Sequence, residues 1–310
     1  MSSTRFLTVC LNPVIQNTLV FERLAKGEVN RTSEHRVDAS GKGVNVARVL
    51  GQIGREAAHL TQLGGPTRSW FLAMCEADGV ALRWAQSNSE IRVCTTVIDR
   101  SEGSATELVE EARPVGPGTA ERVLAEYEAA LSEFDALIFS GTKAAGFPDD
   151  MFPRMVRLAA QAGKPVFLDM KGKDLAACLP LRPLVAKPNL EELLQSLAPE
   201  RGEALRSGKG EDEGALRDFV ASTGREYAER YGTKLVVTRG PRPTWFWDGQ
   251  GIRECQTKRV DALNPIGSGD SFMAGLAAAL MDGESLDEAV AEGTRLGALN
   301  AQRLKPGAIL

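Results

Sequence analysis

The residues whose types and spacing could do chemistry stand together late in the chain, at Asn264-Pro265-Ile266-Gly267-Ser268-Gly269-Asp270. Pro265 and the two glycines disfavour helix before position 269, whereas the composition of 271–281 favours one. Gly267 and Gly269 would leave backbone N–H groups uncovered at that helix N-terminus, where the macrodipole also favours negative charge. The result is a physical anion site. A carboxylate at Asp270, within the first turn, can receive the proton of a hydroxyl that attacks a phosphoryl group held there. The plainer alternative is that Asp270 caps the helix.

Two further constellations carry charge. Ser40-Gly41-Lys42-Gly43 sets a point charge between two glycines whose backbone can approach an anion closely. It is no P-loop, because no Gly-Lys pair in the chain is followed by Ser or Thr. Asn189 and Glu192 lie three apart at an expected helix start and so share a face. Hard Mg²⁺ prefers oxygen ligands and keeps several waters, which suits an amide and one carboxylate. A helix-capping Asn beside a solvated Glu is the alternative.

These groups need a scaffold, and its elements are legible. Apolar runs at 6–10, 136–140, 165–169, 184–187 and 235–238 are of strand length and mostly not alternating, as in strands buried on both faces of a parallel sheet. Helical patterns at 44–53, 120–131, 151–162, 215–231 and 271–281 lie between them. The alternation predicts βαβ units and an α/β sandwich. Segments 19–37 and 92–109 alternate polar with apolar residues and predict a smaller antiparallel sheet. Residues 198–214, rich in Gly, Glu and Lys, read as an exposed loop.

Bulk properties narrow the class. The chain has 310 residues, 43% hydrophobic and 25% charged, with a net charge of −4. That balance lacks the basic excess of a nucleic-acid binder. No uncharged apolar run approaches the roughly 20 residues of a membrane span, and no signal peptide opens the chain, so a soluble cytoplasmic protein is expected. Cys10, Cys75, Cys94, Cys178 and Cys255 form no CxxC pair and are expected to be reduced.

Four motifs occur in order: Leu11-Asn12-Pro13, Ser40-Gly41-Lys42-Gly43-Val44-Asn45-Val46-Ala47-Arg48, Lys187-Pro188-Asn189-Leu190-Glu191-Glu192-Leu193, and the stretch from Asn264 to Gly275. Together they resemble the phosphofructokinase B group of ribokinase-like carbohydrate kinases, most nearly its tagatose-6-phosphate kinase and 1-phosphofructokinase branches. The resemblance runs from about residue 6 to 300.

It implies a three-layer α/β/α sandwich with a mostly parallel central sheet. The whole of 1–310 would be one kinase domain, with a discontinuous β lid from about 13–38 and 90–110. ATP would phosphorylate a hydroxyl of a phosphorylated ketohexose, with Mg²⁺ as the metal. By the same resemblance Asp270 is the general base, supported by Gly267, Ser268 and Gly269. Gln16, Gly41, Lys42, Asn45 and Arg92 would bind the sugar phosphate. Lys187, Asn189, Thr238, Gly240, Gly267, Gly269 and Asn300 would bind the nucleotide. Asn189 and Glu192 would organise the metal. A homodimer through the lid sheet is expected, since an open sheet edge is otherwise a liability.

The sugar end departs from the pattern. Gln16 replaces the usual Asp, an amide where a charged acceptor is expected. Ser140-Gly141-Thr142-Lys143-Ala144 replaces S-G-S-L-P, Asp169-Met170-Lys171-Gly172 replaces D-T-S-G, and the lid motifs around Arg92 and Glu107 are altered. Gly240-Pro241-Arg242-Pro243 lacks its second glycine. A site built for particular hydroxyls rejects analogues strongly when its polar partners change. Phosphoryl transfer is therefore better specified than the sugar. A catalytically silent or altered-specificity member of the fold, binding a sugar or nucleoside, is the alternative.

Overall fold

Strands buried on both faces of a sheet need side chains that are apolar in succession, not in alternation. The computed structural model describes residues 4–207 and 212–310. Its strands are β1 Arg5–Leu11, β2 Val14–Phe21, β3 His35–Ser40, β4 Glu56–Leu63, β5 Ala81–Gln86, β6 Arg92–Asp99, β7 Ser104–Val109, β8 Ala136–Lys143, β9 Val166–Asp169, β10 Val185–Ala186, β11 Lys234–Arg239, β12 Arg242–Trp247 and β13 Ile252–Cys255. Its helices are α1 Lys42–Gln52, α2 Arg68–Ala77, α3 Thr119–Ala130, α4 Met151–Gln161, α5 Gly172–Cys178, α6 Leu190–Leu197, α7 Pro199–Arg206, α8 Glu213–Tyr231, α9 Ser268–Met281 and α10 Leu286–Ala301.

The large sheet has nine strands in the order β13-β12-β11-β10-β9-β8-β1-β4-β5. Every pairing from β11 to β5 is parallel, and β12 and β13 add an antiparallel edge. Successive residues face opposite sides, so the apolar runs feed two cores. Leu7, Leu137 and Phe139 pack with α3, α4, α6 and α8 on one face. Phe6, Ile138 and Phe167 pack with α1, α9 and α10 on the other. Burying each such side chain is worth about 1.5–3 kcal/mol. The α/β/α sandwich and mostly parallel sheet are as expected.

Three details differ from the sequence reading. The small sheet runs β3-β2-β6-β7 and is mixed, because β2 and β6 pair in parallel. The chain between β2 and β6, which includes β4, α2 and β5, is long enough for the crossover that parallel pairing needs. The segment 198–214 is not one loop. Pro199 sits at the first turn of α7, where its fixed φ suits a helix, and Glu, Ala and Leu continue it. Residues 208–211 of that segment lie outside the described residues. Gly240, with φ +60°, makes the tight turn joining β11 to β12 and is exposed on the outside of the molecule.

No helix among the described residues is long and apolar enough to cross a membrane. All five cysteines are free, four of them buried.

Candidate active site

In an open parallel sheet the connections at the carboxyl ends of the strands enclose a crevice, and the chain's polar motifs collect there. A cleft of about 510 Å³ opens between the strand ends and the small sheet. Its floor is the N-terminal turns of α1 and α9. Its walls come from the ends of β1, β8, β9 and β11 and from β2, β6 and β7.

Gly267 closes the turn before α9 with φ +86°, in the left-handed region that glycine enters freely. The first amides of α9 therefore have no intrahelical acceptor, and Gly267, Gly269 and Asp270 line the cleft. Asp270 is 5% exposed. Its Oδ2 accepts a hydrogen bond from Asn45 Nδ2 at 2.8 Å. Burial, opposed by the charges of Lys42 and Lys187, lifts its carboxyl from 3.8 to about 6. No side-chain capping bond forms at this helix start, so Asp270 is not the helix cap that the plainer alternative supposed.

Two lysines surround a second carboxylate. Lys187 Nζ lies 3.2 Å from Asp169 Oδ1, with side chains 3% and 1% exposed. Lys42 Nζ lies 3.6 Å from the same oxygen and 3.1 Å from Glu192 Oε1. Burial pushes Asp169 up, but Lys187, Lys42 and the Ser140 hydroxyl outweigh it and hold the carboxyl below its usual value. Burial likewise opposes the charge on Lys42, and Asp169, Glu192 and Asp270 overcome it, raising the ammonium above the ordinary lysine range. Lys42 therefore stays cationic.

Asn189 and Glu192 form a capping box at α6. Asn189 Oδ1 accepts from the Glu192 amide at 2.8 Å, and Glu192 Oε2 accepts from the Asn189 amide at 3.0 Å. Both side chains still border the cleft. Among the described residues no group of three or more His, Cys, Asp or Glu could cage a metal. Each of these oxygens already accepts one bond and retains a second lone pair. That donor set fits an ion that takes most of its ligands from water and phosphate, as Mg²⁺ does.

Beneath the small sheet, Gln16 Nε2 donates to Thr96 Oγ1 at 2.9 Å, which commits one N–H of the amide to that sheet. Arg92 Nη1 donates to the Glu110 carbonyl at 3.0 Å, while its buried Nε has no partner. Gly41, with φ +109°, starts α1 against the backbone of Asn12 and Pro13. Lys143 turns away to Asp174 and the Phe152 ring, whereas Lys171 borders the cleft.

The expected residues mostly converge, but three do not face the cleft. Gly240 is on the outer turn described above. Asn300 is 0% exposed, and its amide donates to the Ile266 carbonyl at 2.9 Å and to Ser268 Oγ at 3.2 Å. It braces the glycine turn from behind and cannot meet a nucleotide base. Ser268 serves that brace, its hydroxyl accepting from Asn300 of α10, and it does not line the crevice. Asn45 borders the cleft, giving one amide N–H to Asp270 while its oxygen accepts from Ser40 and Arg48. Asp169 and Arg48 were not singled out from the sequence. Asp169 ends an apolar run and Arg48 ends the second motif, and those positions were the available signals.

A glycine turn feeding a helix dipole, a buried carboxylate in its first turn and two lysines beside it meet in one cleft of an α/β sandwich. Residues 9–309 match the family model described as pfkB family carbohydrate kinase, and the chain belongs to that family. Kinases of this family use ATP, typically with Mg²⁺. Among solved structures the chain is similar to phosphofructokinase-2 from Escherichia coli in complex with fructose-6-phosphate, at 20% identity and TM-score 0.81, covering 98% of this chain and 96% of that one. It is also similar to a possible 1-phosphofructokinase from Thermotoga maritima, at 20% identity and TM-score 0.83, covering 97% and 93%. The tetrameric inhibited form of the Escherichia coli enzyme gives 19% identity and TM-score 0.80, covering 96% and 94%.

Proposed function

We propose that this carbohydrate kinase moves the γ-phosphoryl group of ATP to a hydroxyl of a phosphorylated ketohexose of the tagatose-6-phosphate or fructose-1-phosphate type. The observation that carries this reading is the Asp270 carboxylate, buried in the first turn of α9 beside glycine amides and flanked by Lys42 and Lys187.

Asp270 takes the proton of the attacking hydroxyl. A carboxyl lifted to about 6 is a better proton acceptor than an ordinary aspartate and is still mostly ionised at neutral pH. The amides of Gly267 to Asp270 and the Lys187 ammonium face the charge that develops on the transferring group. Lys42 and Arg92 meet the sugar's own phosphate, with the unpartnered Arg92 Nε offering one prong of a guanidinium fork. Asn189 and Glu192 would hold Mg²⁺ through its waters, and Thr238 borders the nucleotide side. Bound there, the ion would neutralise phosphate charge. The small sheet acts as a lid. Its edge strand β7 carries Leu108 and Val109, 57% and 52% exposed, and covering that edge with a second copy would make a homodimer in the cytoplasm.

Gln16 favours altered specificity within this reading, because one N–H of its amide is committed to Thr96. The test is ADP release over a panel of phosphorylated ketohexoses. Turnover on at least one member is expected, falling about 10²–10⁴-fold in Asp270→Asn. Binding without turnover across the panel would favour the silent reading, and full activity in Asp270→Asn would remove the base.

A further inference from the structure

The second motif sends Lys42 to the sugar's own phosphate, whereas the structure seats its ammonium on carboxylates. Nζ lies 3.1 Å from Glu192 Oε1 and 3.6 Å from Asp169 Oδ1. Glu192 Oε2 is held by the Asn189 amide in the capping box, so Oε1 is the oxygen free to turn to a cation, and Lys42 covers it. Asp169 is held from other sides as well. Lys187 stands 3.2 Å from the same Oδ1, and the Ser140 hydroxyl donates to Oδ2 at 3.0 Å.

Within this cluster Lys42 is the member with freedom to move. The side chain of Asp169 is 1% exposed and that of Glu192 13%, whereas that of Lys42 is 37% exposed. Its root is fixed against Gly141, where an added Cβ would stand 3.3 Å from Lys42 Cβ and 3.6 Å from its Cγ. Beyond the root the stem is a flexible chain of single bonds. Its ammonium opens onto the cleft that Arg92 also lines, with the unpartnered Arg92 Nε on that side.

We propose that Lys42 is a movable internal counter-ion that couples the two substrates: its ammonium neutralises Asp169 and Glu192 until a sugar phosphate draws it away, and Glu192 then takes a divalent cation more tightly. The proposal rests on the reading of the cleft as a phosphosugar kinase site. Ammonium and metal ion are alternative partners of one carboxylate oxygen, and like charges held side by side repel. Drawing the ammonium off therefore strengthens metal binding. By linkage the metal strengthens sugar-phosphate binding by the same factor.

Mn²⁺ binding, followed by the electron paramagnetic resonance of the free ion with no nucleotide present, reads this coupling without turnover. The parent, Lys42→Met and Lys42→Arg are titrated with and without fructose-1-phosphate and tagatose-6-phosphate. Without sugar, Lys42→Met is expected to bind Mn²⁺ at least about fivefold more tightly than the parent. Lys42→Arg, which keeps the charge, should bind it about as weakly as the parent. In the parent, one of the sugar phosphates should tighten Mn²⁺ binding by a similar factor, and in Lys42→Met it should add nothing. An affinity no higher in Lys42→Met would make the lysine a fixed strut between α1 and α6 and overturn the proposal. So would a parent affinity unmoved by either sugar phosphate, and that arm needs no variant to fold. Absence of ADP release across the whole panel removes the kinase reading and leaves these binding measurements legible. ADP release with an Mn²⁺ affinity unmoved in Lys42→Met removes only the counter-ion role.

Discussion

Gly267 and Gly269 stand two residues apart in one turn, yet replacing each with alanine should fail in different ways. At Gly267 the backbone has φ +86°, and an added Cβ would meet the Gly307 nitrogen at 2.5 Å and the Pro306 Cα at 3.0 Å. Those are main-chain atoms locked by Arg48 and Asn300, so they cannot swing aside. The left-handed conformation costs an L-residue about 1–2 kcal/mol and overpacking about 1–3 kcal/mol, so Gly267→Ala should lose about 2–5 kcal/mol in all. At about 2.1 cal/mol/K of unfolding entropy per residue, a chain of 310 residues converts that loss into a fall in Tm of about 3–8 °C. At Gly269 the nearest atom to a new Cβ is Lys187 Nζ, at 3.8 Å. Stability should hold or rise slightly, because alanine is favoured over glycine in a helix by about 1 kcal/mol. That methyl would nevertheless stand where an anion approaches the amides, and displacement on the 1 Å scale costs on the order of 10–100-fold in rate. Thermal melts and ADP release on the same preparations measure both quantities. Gly267→Ala melting with the parent would refute the packing argument. Gly269→Ala at full activity would refute the placing of the anion.

Asp270→Asn should be more stable than the parent. Burial raises the carboxyl from 3.8 to about 6, so the folded chain holds that proton more tightly than the unfolded one. The cost of the ionised form is therefore absent below pH 3.8, grows as pH rises and is complete above about 6. Removing it should add on the order of 1–3 kcal/mol at pH 8 and almost nothing at pH 4, as read from melts across that range. Lys187→Met should cost about 3 kcal/mol, because it leaves Asp169 buried with only the longer Lys42 contact. Urea titration would show it, and Lys187→Met/Asp169→Leu should recover most of the loss.

The central strands were legible because the parallel sheet demands unbroken apolar runs, and β1, β8 and β9 have them. The strand β4 was not, because Glu56-Ala57-Ala58-His59-Leu60-Thr61-Gln62-Leu63 places polar residues where both faces are covered. His59 is fully buried with its Nδ1 2.9 Å from Thr8 Oγ1, a pairing only the fold creates. The edge strands β12 and β13 were hidden by a proline and a short polar run. In the site, residue type pointed to Asp270, Lys42, Lys187 and Glu192, but partnership did not follow from type. Asn45 and Asp270 are 225 positions apart, and Lys42 and Glu192 are 150 apart. Asn300 was misread for the same reason: proximity to a ligand region in sequence says nothing about which way an amide points.

The small sheet is stitched to the body at four places: before β2, after β3, before β6 and after β7. It therefore cannot behave like a flap on one hinge. Any tilt must be shared among all four crossings, and the one after β3 runs through Gly41 directly into α1 and Lys42. A substrate that draws the sheet downward would also tug on the helix beneath it, so closure and the alignment of the lysine become a single mechanical event.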